Sequence, residues 1–120
     1  MTIPAILKFD EAHAHPEEYF LAAEKLIEGN PKQTLWQYYT DPTKKFLSGM
    51  WKSEPGKWNI SYTEEEFCQI LEGVSVVADA QGTAVTVAQG DSFVIPRGFT
   101  GTWEVIETTR KIYVIYESGE

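Results

Sequence analysis

The chain has 120 residues, with ten basic and eighteen acidic side chains giving a net charge of −8, and it is 42% hydrophobic and 13% aromatic. That length argues for one domain (residues 1–120), able to bury roughly 65% of its unfolded surface without disulfide or metal staples. The aromatic content argues against disorder, and the acidic surplus repels phosphate backbones and anionic lipid, so nucleic acid and membrane are poor partners.

Cys68 is the lone cysteine, so no intramolecular disulfide can form and a reducing, cytoplasmic setting is expected. The N-terminal MTIPAILKFDEAHAH has no cationic start followed by an apolar run, and no stretch approaches 18 apolar residues. Residues 1–50 hold five basic and seven acidic residues, against five and eleven in 51–120. The acidity therefore falls mainly on the second half.

In chain order, Ala5–Phe9 alternates apolar positions like a short strand. Pro16–Glu28 reads as a helix. Pro16 suits its first position, Glu17 and Glu18 suit the positive end of its dipole, and Tyr19, Phe20, Ala23, Leu26 and Ile27 form one apolar face. Gly29-Asn30-Pro31 stops it. These first 33 residues make an extension packed on the outside of the remaining chain.

From Thr34 the helical period vanishes. Short β-rich runs recur at Thr34–Tyr39, Lys45–Trp51, Lys57–Tyr62, Phe67–Leu71, Val74–Ala78, Ala84–Val87, Ser92–Ile95, Gly101–Ile106 and Lys111–Tyr116. Turn signals separate many of them, at Asp41-Pro42, Glu54-Pro55-Gly56, Asp79–Gly82, Gly90-Asp91 and Pro96-Arg97-Gly98. Such a series predicts an antiparallel sandwich or barrel over 34–120.

One stretch is more specific. Glu66 lies seven residues before Gly73, sixteen residues separate Gly73 from Gly90, and Gly90 opens a G-x5-P-x-G pattern with Pro96 and Gly98. That skeleton resembles the two-part signature of the cupins. The runs SGMW (48–51), EPGKW (54–58), YTEEEFCQILEG (62–73), GDSFVIPRGFTGTWEV (90–105) and RKIYVIYE (110–117) resemble, more narrowly, the small cupin family found as the second half of (S)-ureidoglycine aminohydrolase. The resemblance implies a mainly β, RmlC-like jelly-roll barrel with one open mouth, and a homodimer. One fold carries many activities, so it implies little about the reaction.

Cupins of this kind carry an H-x-H pair, the glutamate, and a third histidine as metal ligands. Here the paired places fall at Ile60 and Tyr62, or at Asn59 and Ser61 with a longer spacer; the third falls at Gly101, and the motif's terminal asparagine corresponds to Val105. Only Glu66 remains of the four. A single carboxylate holds a transition metal poorly, and a phenolate from Tyr62 is costly at an ordinary pKa near ~10. No metal or other cofactor is therefore expected.

His13 and His15 form an H-x-H, but they precede the Pro16 helix far from the motif. They read as loop or cap residues. Glu64 and Glu65 read as a solvated turn edge; adjacent strand residues face opposite ways, so they make no carboxylate pair for hydrolysis or calcium.

Strand alternation turns Cys68 and Ile70 inward with Glu66, and Trp103 inward with Gly101. Trp51, Tyr62, Glu66, Cys68 and Trp103 thus form the candidate ligand-binding set, a carboxylate among aromatics suited to a small polar or cationic molecule. The plainer reading is that the aromatics fill the barrel, Cys68 packs as a small apolar residue, and Glu66 pairs with Arg97, Arg110 or a backbone amide. Glu66 is the candidate acid or base if the protein is an enzyme. Three functions are compatible with these residues: a metal-free small-metabolite binder; a hydrolase or isomerase like the aminohydrolase; and a non-catalytic dimeric scaffold.

Overall fold

The computed structural model describes residues 4–10 and 14–118. Among these residues the regular structure is one 3-10 turn and nine strands: β1 (Glu17–Tyr19), β2 (Leu26–Glu28), β3 (Gln33–Thr40), β4 (Phe46–Ser53), β5 (Gly56–Ser61), β6 (Glu65–Asp79), β7 (Ala84–Ala88), β8 (Ser92–Ile95) and β9 (Thr100–Tyr116). All pair antiparallel in one curled sheet, a half-barrel.

The two long strands form its spine. β6 and β9 pair from Glu65↔Tyr116 to Asp79↔Gly101. Beyond β6 lie β7 and β8; beyond β9 lie β4 and β5, with β3 outside β4, β2 outside β5 and β1 outside β3. The turns expected at Asp41-Pro42, Gly90-Asp91 and Pro96-Arg97-Gly98 fall between strands, and those at Glu54-Pro55-Gly56 and Asp79–Gly82 do so except for Gly56, which opens β5, and Asp79, which closes β6.

Gly73, expected at a turn, instead lies within β6, so the runs at 67–71 and 74–78 are one strand. Its φ is +91°, and a β-carbon there would come within 2.1 Å of the Thr108 carbonyl oxygen. The register against β9 shifts on both sides of it. A left-handed residue with no side chain serves a β-bulge as well as a turn, and the bulge bends the spine. The runs at 101–106 and 111–116 likewise join as β9.

The helix expected over 16–28 is not formed. Residues 17–19 and 26–28 are β1 and β2, with a single 3-10 turn at Ala23–Lys25 between them. A helix of some 13 residues is marginal on its own. Here β1 pairs with β3 and β2 with β5, satisfying backbone groups that those strands would otherwise leave open, while Leu21 and Leu26 pack on the core. The strand expected over Ala5–Phe9 is also absent. That segment has no regular structure, although Phe9 stacks on Tyr38 at 4.6 Å between centroids.

The core cluster is Trp51, Trp58, Val77, Ile95, Trp103, Val105 and Tyr113, on the concave side. Among the described residues no helix is long and apolar enough to cross a membrane.

Candidate functional site

Alternation along β6 turns Glu66, Cys68 and Ile70 into the concave interior, and all three are buried. On β9 the same rule brings in Trp103, Val105, Thr109, Lys111 and Tyr113. Trp51 faces Lys111 across the β4–β9 ladder, and Ile70 faces it across β6–β9. The candidate residues are therefore brought together, around a side chain that sequence patterns alone did not single out.

That side chain is Lys111, only 5% exposed. Its Nζ lies 3.0 Å from Glu66 Oε2 and donates to Cys68 Sγ at 3.6 Å. It also sits 4.7 Å from the Trp51 ring centroid and 4.4 Å from that of Trp103, both within cation–π range. The other oxygen of Glu66, Oε1, accepts from the Tyr62 hydroxyl at 2.6 Å. Both carboxylate oxygens are thus engaged, and the partners expected from the sequence are not the ones found. Arg110 pairs with Glu72 at 3.3 Å, and the Arg97 side chain donates to Ser118.

The two indoles are fixed in turn. Trp51 Nε1 donates to Gln33 Oε1 at 2.7 Å, and Gln33 Nε2 donates to Ser53 Oγ at 2.8 Å. Trp103 Nε1 donates to Ser75 Oγ at 3.1 Å, which is bonded to the Thr109 hydroxyl at 2.7 Å. Trp51 and Trp103 meet edge to face with centroids 5.5 Å apart. A buried network this complete rigidifies its members.

Burial sets the protonation states. It pushes the Cys68 thiol up to about 12, against the pull of nearby Lys111. It also raises the Tyr62 and Tyr113 phenols, so all three are neutral at ordinary pH. Burial alone would lower Lys111, but Cys68, Glu66 and Tyr62 outweigh it and hold the ammonium above its usual range. At neutral pH, with the thiol and phenol uncharged, Glu66 supplies that effect. The arrangement is a carboxylate–ammonium pair in an aromatic box, not a poised base or nucleophile.

His15 is exposed just before β1, and His13 lies outside the described residues. Glu64 and Glu65 are half-buried at the start of β6, Glu65 accepting from the Arg97 backbone N–H at 3.4 Å.

The resemblance to cupins implies a metal ion at this place, and the residues present do not fit one. Ile60 offers no donor and the Tyr62 phenol is held to Glu66. At Gly101 a β-carbon would lie 1.9 Å from the Ala78 carbonyl oxygen, so the third ligand position has no room for any side chain. The remaining carboxylate already faces an ammonium. Among the described residues no group of three His, Cys, Asp or Glu side chains is arranged to hold a metal.

The open part of the concave face is elsewhere. A cleft of about 190 Å³ lies between β7, β8 and the 96–99 turn, floored by Val77 and Ile95 of the core and walled by Val85, Val87, Phe93 and Phe99. Asp79 and Thr83 stand at its rim. Phe93 joins it to the box, its ring 6.2 Å from that of Trp103. Sequence reading missed these residues because their Val, Phe and Ile side chains read only as ordinary strand interior. A second, more open depression is bordered by Asn59–Ser61 and Thr100–Thr102.

Comparison with known proteins settles the fold family. The family model described as the EutQ-like cupin domain matches residues 40–113, more than half the chain. The chain belongs to the EutQ-like cupin family. This cupin is similar to a DUF861-family protein of Thermotoga maritima, with 33% identity over 53% of this chain and 73% of that one, at a TM-score of 0.52. It also resembles a DUF861-family protein of unknown function from Pseudomonas syringae pv. tomato (21% identity, 92% of this chain and 44% of that one, TM-score 0.75) and the EutQ protein of Clostridium difficile (19%, 72% and 64%, TM-score 0.65). At those lower identities the likeness concerns fold alone. The cupin spans less than two thirds of either of these two proteins. No curated protein matches it.

Proposed function

We propose that this cupin binds a small neutral or cationic organic molecule in the apolar cleft beside β7 and β8, without a metal or other cofactor. The observation that carries this reading is the contrast in availability. Val85 on the cleft wall is 56% exposed, whereas both oxygens of Glu66 are engaged by Lys111 and Tyr62. A cleft of about 190 Å³ lies below the ~300–1,000 Å³ of sites for drug-sized ligands, so the ligand is small. The net charge of −8 disfavours anions. Asp79 and Thr83 supply polar atoms at the rim.

The aminohydrolase-like reading rests on sequence motifs. It would need Glu66 to release Lys111 or Tyr62 before acting as acid or base, and no feature of the geometry favours that release. A cytoplasmic setting accords with the lone, buried thiol of Cys68.

The test is a thermal-shift screen of small uncharged and cationic aromatic and aliphatic compounds, followed by tryptophan emission, since Phe93 touches Trp103. Binding in the cleft predicts a stabilising compound whose effect vanishes in Val85→Asp and survives in Glu66→Gln. A compound lost only in Glu66→Gln would return the site to the box; no stabilising compound at all would favour a scaffold role.

A specific observation also supports the homodimer. Val94 and Val114 flank Phe67 through the β8–β6–β9 ladders, and Phe46 pairs with Tyr116, on the convex face. Phe46, Phe67, Val94 and Tyr116 are each 40% or more exposed. Such a row suits a second copy of the chain, and Phe67→Lys is expected to shift the mass in solution from dimer to monomer.

A further inference from the structure

We propose that the Lys111 ammonium is this cupin's own resident cation, covalently supplied from β9 and seated where the fold would otherwise take up a metal ion or an organic ammonium ligand. Four observations converge on it. The carboxylate that is the sole survivor of the expected metal-ligand set, Glu66, is paired at 3.0 Å with Lys111 Nζ. The thiol of Cys68 accepts from the same nitrogen at 3.6 Å. Two indole faces lie 4.4 and 4.7 Å from it, the environment by which proteins recognise alkylammonium ions. Finally, the position expected to carry the third ligand is closed by backbone, with Ala78 O 1.9 Å from any β-carbon at Gly101.

The consequence is chemical. A buried carboxylate needs a compensating cation, because its isolated charge is expensive in a low-dielectric interior. Where a metal ion would have to be captured from solution, here the counter-charge arrives with the fold and cannot dissociate. An incoming divalent ion or ammonium would have to displace a tethered one, so the box is closed to both. This inference stands apart from the cleft reading, because it concerns a different set of side chains.

The test compares wild type with Lys111→Ala, which deletes the atoms of n-propylammonium, and Lys111→Met, which keeps the length of the side chain and removes the charge. Melting temperatures are recorded with n-propylammonium chloride, with equal concentrations of n-propanol and sodium chloride as controls, and metal content is measured after dialysis against zinc or manganese. The expected result is that both variants melt well below wild type. Propylammonium, but not propanol, restores at least half of the loss in Lys111→Ala, and leaves wild type and Lys111→Met unmoved. If Lys111→Ala does not fold unaided, folding on addition of propylammonium is the same result, and failure to fold in its presence counts against the proposal. A Lys111→Met protein as stable as wild type would overturn it. So would one equivalent of metal retained by wild type and lost in Glu66→Gln.

Discussion

The concave face of this cupin holds two neighbouring regions that touch through Phe93 and Trp103 and are built on opposite principles. In the box around Lys111, charged and polar groups are buried and engaged: Glu66 by Lys111 and Tyr62, Trp51 by Gln33, Trp103 by Ser75. In the cleft beside β7 and β8, apolar groups are left in contact with solvent. Engagement marks the first as architecture, since a satisfied interior network has little to offer a visitor. Unmet apolar surface is what recommends the second as the proposed ligand site, since burying it would favour binding. The residues with the most chemistry are not the residues with the most opportunity.

The sharpest way to break that comparison is to unbalance the box. Lys111→Met leaves Glu66 without its counter-charge, and Glu66→Gln does the same to Lys111. Each single change is expected to cost about 3–5 kcal/mol in urea unfolding. The double variant is expected to recover most of that loss, because a buried ion pair replaced as a unit is often neutral. Additive losses would mean that the two side chains are not energetically coupled, and the box would no longer differ in kind from the cleft.

Gly101→Ala probes the close approach of β6 and β9 at the expected third ligand position. A β-carbon 1.9 Å from the Ala78 carbonyl forces β6 and β9 apart, so a loss of about 1–3 kcal/mol is expected. A variant as stable as wild type would show that the strands have slack there, and would reopen the third ligand position.

How far these features can be read from sequence differs between them. The β-rich second half, most turn positions and the inward parity of Glu66, Cys68 and Trp103 are legible, because strand alternation has a strict period of two. The N-terminal segment misleads because EEYFLAAEK has real helical periodicity, and only the pairing of its ends with β3 and β5 overrides it. Gly73 misleads because a turn and a bulge ask the same thing of a residue. Lys111 carries a usable signal: Arg110 and Lys111 are consecutive on a strand, so one of them must face inward, and parity with Tyr113 selects Lys111. What sequence cannot show is that its nitrogen reaches Glu66 past Cys68, because that depends on diagonal neighbours across the ladder.

A smaller effect separates the regions by pH. The Cys68 thiol is raised from 9.0 to about 12 in the fold, so folding favours its neutral form. Its contribution is intact below pH 9 and fades as the unfolded thiol ionises between 9 and 12. Lys111, also raised, acts in the same sense: its stabilisation is complete below its unfolded value of 10.5 and is lost as the pH climbs further. The melting temperature should be level from pH 7 to 8.5 and fall above 9, with a shallower fall in Cys68→Ala. Native Cys68 should also resist a disulfide reagent at pH 8 and react rapidly in denaturant. A thiol that reacts at once in the native state would mean that the box is open to solvent.

The smallest expected effect on stability is also the most informative about function. Val85 is more than half exposed on the cleft wall, so Val85→Asp removes little burial and is expected to change unfolding free energy by no more than about 0.5 kcal/mol. It places a carboxylate beside Val77, Val87 and Phe93, where an apolar ligand would have to desolvate it. Binding of a stabilising compound should therefore fall at least tenfold in Val85→Asp, measured by calorimetry, while the melting temperature without ligand stays put. Val85→Ala, which shortens the wall without charging it, should weaken binding by less. If instead the compound binds Val85→Asp and wild type equally, the cleft is only surface, and the distinction between a sealed interior and an available one loses its functional meaning.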